Sequence, residues 1–146
     1  MSVWCFWTIW AALLAVGGVA SWTDITRRVI PNRLLLAGAL AVLGVDAISG
    51  RILPALEGGA LLGVLGVVLW MMGSGAGDAK YLALVGLALG PVMGLAAWFL
   101  AALTAVLWHL PTVVRKGVKL AVAFGPFIAF GSVLAPFLVP VLLRMP

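Results

Sequence analysis

Long apolar blocks separated by short polar clusters make up this chain, and a helix that crosses a bilayer needs roughly 20 consecutive apolar residues, about 30 Å at 1.5 Å per residue. The first block predicts a span from Val3 to about Thr23. Its nearest basic residues, Arg27 and Arg28, come after the block. That is the reverse of a cleavable signal peptide, so the amino terminus is expected to face outward. A second span is expected from about Pro31 to Ile48, with Pro31 in the first turn, where a missing N–H leaves no bond unmade. A third is expected from about Ala55 to Met72. Asp46, Ser49, Gly50 and Arg51 form the polar turn between them.

Beyond the Gly-rich stretch from Gly73 to Gly77, an uncharged run extends from Tyr81 to Val114. As one helix it would measure about 51 Å and overshoot the bilayer. Gly90-Pro91 is the expected break, because Pro blocks helix continuation and biases its predecessor away from helical geometry. Charge supports two spans here and a last one from about Leu120 to Leu143. Arg27, Arg28, Arg33, Lys80, Arg115, Lys116 and Lys119 then share the cytoplasmic side, and only Arg51 and Arg144 lie outside. Fusing the two spans would move the 115–119 cluster outward and erase the positive-inside bias. The expected fold is all-α, a bundle of six transmembrane helices with both termini outside.

Composition agrees with that pattern. Of 146 residues, 65% are hydrophobic and 9% charged, whereas soluble domains carry about 25% charged residues. One transmembrane domain over residues 1–146 is expected. The net charge of +5 comes from basic residues at the ends of apolar runs, not from a stripe with interleaved aromatics, so nucleic acid is not an expected partner. The single Cys5 excludes disulfides within these residues and any Cys-based zinc site. Trp4, Trp22, Trp70 and Trp108 are read as interfacial anchors. Gly59-x-x-x-Gly63 and Gly86-x-x-x-Gly90 are read as close-packing faces, within one chain or between two copies, so homo-oligomerisation stays open. His109 is read as a structural residue, and no metal or other cofactor is expected.

Ionisable residues at membrane depth are functional candidates by default, and the chain has four acids. Asp24 follows the first span and Asp78 the third, so two crossings separate them and both return to one face. Asp46 and Glu57 flank the opposite turn. Two carboxylates held around one water cannot both ionise cheaply, so one keeps a proton while the other acts as a base. Such a pair can activate water against a peptide carbonyl and protonate the developing oxyanion without metal. The bland alternative pairs Asp24 with Arg27 or Arg28, and Asp78 with Lys80. Asp78 stands in Gly75-Ala-Gly77-Asp78-Ala-Lys80, at the start of a helix whose positive end favours an anion. Gly75 and Gly77 would leave room for an extended substrate backbone.

The stretch Asp24-Ile-Thr-Arg-Arg-Val-Ile-Pro31-Asn32 resembles the first aspartate motif of type IV prepilin peptidases, and Gly75-Ala-Gly77-Asp78-Ala-Lys80 resembles their second, the GxGD signature shared with presenilin-like proteases. A third segment, Phe124-Gly-Pro-Phe-Ile-Ala-Phe-Gly131, resembles the family's Phe-Gly-Pro-Phe stretch, with Ala123 where the family usually has Pro. The resemblance implies an aspartic endopeptidase that removes the short basic leader from prepilin or pseudopilin precursors at the cytoplasmic face. It implies Asp24 and Asp78 as the catalytic pair, Gly75, Gly77 and Lys80 as supporting residues, and Pro31 and Asn32 as shaping the start of the second span. Larger members also methylate the new amino terminus through a Cys-rich insertion. This chain has no Cys pair, so that activity is not expected, and it looks like the short form of tight-adherence pilus systems. The alternatives are a small proton-coupled transporter using Asp24 and Asp78 as ion-binding carboxylates, and a non-catalytic assembly subunit.

Overall fold

The computed structural model describes residues 3–116 and 123–142. Lys119, Leu120, Leu143 and Arg144 of the sequence reading lie outside the described residues. The described chain is all-helical, in the order α1 (Val3–Arg27), α2 (Asn32–Ile48), α3 (Ile52–Met71), α4 (Ala76–Lys116) and α5 (Gly125–Leu142). Val3–Arg27, Ile52–Met71 and Ala76–Thr112 are long and apolar enough to cross a membrane, and Gly125–Val139 is a shorter apolar helix. The chain is a membrane protein.

Helix ends differ from the sequence reading for identifiable reasons. α1 continues a full turn past Thr23, so Asp24 lies on the helix itself and is buried. Pro31 stands just outside α2 with extended backbone, φ −65° and ψ 126°, and its carbonyl accepts the N–H groups of Leu34 and Leu35. It therefore caps the helix rather than filling its first turn. α2 and α3 both end in Schellman motifs. After α2, Arg51 N donates to the Asp46 carbonyl and Gly50 N to that of Ala47, with Gly50 at φ 71°. After α3, Ser74 N donates to the Leu69 carbonyl and Gly73 N to that of Trp70, with Gly73 at φ 105°. These left-handed positions favour glycine and turn the chain back on itself within a few residues.

α4 is interrupted where the sequence suggested. Gly90 is non-helical at φ 76° and ψ −179°, directly before Pro91, so the 41 residues form two helical halves. Pro111 is carried within the second half without another non-helical residue. α4 occupies the centre and packs on α1, α2, α3 and α5. Tyr81, Leu82, Val85, Ala88, Ala97 and Ala101 of α4 are buried against Leu13, Val42, Leu62 and Ile128 of the other helices.

Backbones approach closely along α3 and α4. A side chain on Gly58 would run into the backbone of Gly86 and Gly90, and one on Gly66 into the backbone of Ala79. Gly59 faces the Leu87 side chain, while Gly63 has only Ala83 in ordinary contact. These glycine contacts are within one chain. Thr23 and Thr104 bond back to their own helices, Thr23 to the Val19 carbonyl (3.0 Å) and Thr104 to that of Leu100 (2.7 Å), so neither donor is stranded in hydrocarbon. Large apolar side chains cover much of the outer surface: Trp4, Trp22, Trp70 and Trp108 are all exposed, together with Ile48, Met71 and Phe99.

Candidate active site

The last turn of α1, the loop to α2 and the loop into α4 converge at one end of the bundle. Asp24, Pro31, Asn32, Gly75, Gly77 and Asp78 line a single cavity of about 330 Å³, joined by Arg28 and Ile30. Lys80 stands beside the cavity and donates from Nζ to Asn32 Oδ1 at 3.0 Å. Every site residue named from the sequence is thus gathered at this end, although the two motifs are about 50 residues apart along the chain.

The two carboxylates are held differently. Asp78 lies in the first turn of α4, where Gly75 closes the helix start: its carbonyl accepts the N–H groups of Asp78 (3.1 Å) and Ala79 (3.3 Å). Asp24 is buried, 8% exposed, and its Oδ2 accepts the N–H of Gly125 at 2.8 Å. Gly125 opens α5, so this carboxylate satisfies one of the donors that every helix leaves unpaired at its beginning. Pro126 has no N–H, and those of Phe127 and Ile128 go to the Phe124 carbonyl. Both acids therefore sit at the positive ends of helices, Asp24 at α5 and Asp78 at α4, where the dipole favours negative charge.

Gly75 and Gly77 both line the cavity and also sit close to neighbouring side chains. A Cβ on Gly77 would lie 3.2 Å from Ile30 Cβ, and one on Gly75 would lie 3.2 Å from Asp78 Oδ2. The bland pairings do not form either. Among the described residues the one carboxylate ion pair is Asp46 with Arg51, at 3.4 Å. Asp46, expected in the polar turn, closes α2 fully buried and paired with Arg51, which the Schellman turn brings back to it. Glu57 is exposed in α3. His109 packs edge-on against Phe127, ring centroids 5.7 Å apart.

Two contributors escaped the sequence reading. Gly125 was visible only as part of a motif resemblance, since nothing in its neighbourhood announces a carboxylate 101 residues away. Arg28 was read as a topology charge, but it lines the cavity and holds φ at 53°, an uncommon backbone state for a residue with a side chain. Backbone outliers of this kind cluster at functional sites.

A model of the type IV leader peptidase family matches residues 6–110, a stretch that contains both aspartates and ends before Gly125. The prepilin leader peptidase/N-methyltransferase of Bacillus subtilis (strain 168) is 35% identical over 121 residues, covering 77% of this chain and 48% of that protein. The chain thus spans about half the length of the curated relative it matches. No solved structure matches the chain. With the family model covering most of the chain and the aspartates of both motifs lining one cavity, the protein belongs to the type IV leader peptidase family.

Proposed function

We propose that the chain is an intramembrane aspartic endopeptidase that removes the leader peptide from type IV prepilin or pseudopilin precursors at the cytoplasmic face. The observation that carries this reading is the shared cavity, where two carboxylates from sequence-distant helices flank a space large enough for water and a peptide segment. In the proposed reaction one aspartate is ionised and takes a proton from water as its oxygen attacks the scissile carbonyl. The other is protonated and donates to the oxyanion, with both acting as one titrating unit. Asp24 is anchored by the Gly125 N–H through Oδ2, which leaves Oδ1 for water. Lys80 and Asn32, bonded to each other, brace the first turns of α4 and α2 on either side.

Six crossings are the topology we favour, counting the halves of α4 on each side of Gly90 separately and including α2 and α5. Both termini would then lie outside, with the site on the cytoplasmic side of a prokaryotic inner membrane and residues 1–146 forming one peptidase domain. We further propose leader removal without amino-terminal methylation. Among residues 1–146 the one cysteine is Cys5, so these residues hold no Cys pair of the kind the Cys-rich segment of larger members carries. The carrier reading has weaker support: both acids stand at helix ends, whereas transport sites favour discontinuous helices near the bilayer midplane. Mass spectrometry of a prepilin co-expressed with the chain tests the proposal. The expected product lacks its leader and carries an unmethylated amino terminus; an uncut precursor contradicts the reading, and a methylated product contradicts its second part.

A further inference from the structure

α2 and α4 begin at the same end of the bundle and run in the same direction, leaving a groove of about 460 Å³ between them. Its walls are apolar, with Leu35, Leu36 and Ala39 from α2 facing Ala83, Leu84 and Leu87 from α4. Its mouth is polar, formed by Asn32, Arg33 and Lys80. Arg33 and Lys80 are both exposed and belong to the opening turns of their helices, so the apolar walls extend from them toward the bundle centre for about two turns, roughly 10 Å.

Two cations at the membrane boundary above a leucine-lined trough match an amphiphile with an anionic head. We propose that this groove binds one anionic glycerophospholipid, its phosphate between Arg33 and Lys80 and an acyl chain along Leu36, Ala39, Leu84 and Leu87. Basic pockets between membrane helices hold anionic head groups through this combination of charge and apolar depth. A peptide helix is the poorer occupant, because close helix docking needs small residues and these walls are mostly leucine. The larger groove between α3 and α4 has a weaker claim on an anionic head: it mixes small residues with Val64, Val67, Val68 and Trp70, and Lys80 is its only charged wall. A phosphate at Lys80 would join the existing bond to Asn32, so the lipid would tie the first turn of α2 to α4 beside the two-aspartate cavity. This binding does not depend on the peptidase reading.

Native mass spectrometry of the full chain in a neutral detergent, titrated with phosphatidylglycerol or phosphatidylcholine, tests the site. One phosphatidylglycerol per chain should be retained in preference to phosphatidylcholine. Arg33→Gln should lower that preference by about fivefold, the worth of one basic residue near an anionic surface, and Arg33→Lys should restore it. Equal retention of the two lipids, or an unchanged preference in Arg33→Gln, would overturn the proposal. So would displacement of the lipid by inorganic phosphate at equal concentration, which would identify a free-anion site. A photoreactive side chain at position 36 that captured a precursor's apolar segment while phosphatidylglycerol was present would likewise overturn it.

Discussion

Asp24 accepts the first N–H of α5, and only a glycine fits where that N–H arises. A Cβ on Gly125 would lie 2.8 Å from Asp24 Oδ2 and 3.2 Å from its Cβ and Cγ, so the whole carboxylate would have to move. A Cβ on Gly75 would meet only the outer part of Asp78, Oδ2 at 3.2 Å and Cγ at 3.7 Å, and the far end of a side chain can give way. The two substitutions should therefore differ. We predict that Gly125→Ala lowers the turnover of a prepilin by about ten- to a hundredfold, as displacements near 1 Å do in preorganised sites, while Gly75→Ala costs clearly less. Steady-state kinetics of the two variants, with circular dichroism as a check on folding, measures this. Equal effects would mean that the Gly125 contact does not set the position of Asp24. The contact was hidden in the sequence because a hydrogen bond across 101 positions leaves no local pattern, whereas Asp78 was visible from the glycines and the helix start around it.

The helices themselves were largely legible, because length and hydropathy are local properties, and the break at Gly90-Pro91 follows from covalent constraints on Pro. Their packing register was legible on α4, where Gly86 and Gly90 do meet α3, but not on α3. Spacing pointed to Gly59 and Gly63, yet the tightest approach on α3 is one residue away, at Gly58, where the backbone of α4 passes directly over the helix. A pair of glycines four apart marks a face that could pack; which face does so depends on how the two helices cross, and that is a tertiary property. Gly58→Ala should destabilise the protein by about 1–3 kcal/mol or more, the usual cost of overpacking a tight contact. Gly63→Ala, whose added carbon would meet Ala83 Cβ at 3.6 Å, should be neutral or slightly stabilising, since Ala is the better helix former. Thermal unfolding in detergent measures both, and a Gly58→Ala midpoint equal to that of the parent protein would contradict the packing described for α3 and α4.

Across the whole molecule, large apolar side chains cover the outside while the polar chemistry is gathered at the helix ends, with the two-aspartate cavity at one end and the buried Asp46–Arg51 pair in the turn at the far end of α2. Six crossings with the cavity inside predict a definite labelling pattern. In a Cys5→Ser background, cysteines at the exposed positions Val29 and Met72 should react with an impermeant maleimide only from the cytoplasmic side, and one at Ile48 only from outside. Labelling of positions 29 and 72 from opposite sides would break the topology. The central claim is that Asp24 and Asp78 act together on one water, and the most direct measurement is cleavage of a purified prepilin by the parent chain, Asp24→Asn, Asp78→Asn and the double variant. Each single variant should fall by at least about a hundredfold, and the double variant should fall little further, because groups that act as one unit are not additive. Parent-like cleavage by either single variant would contradict the account.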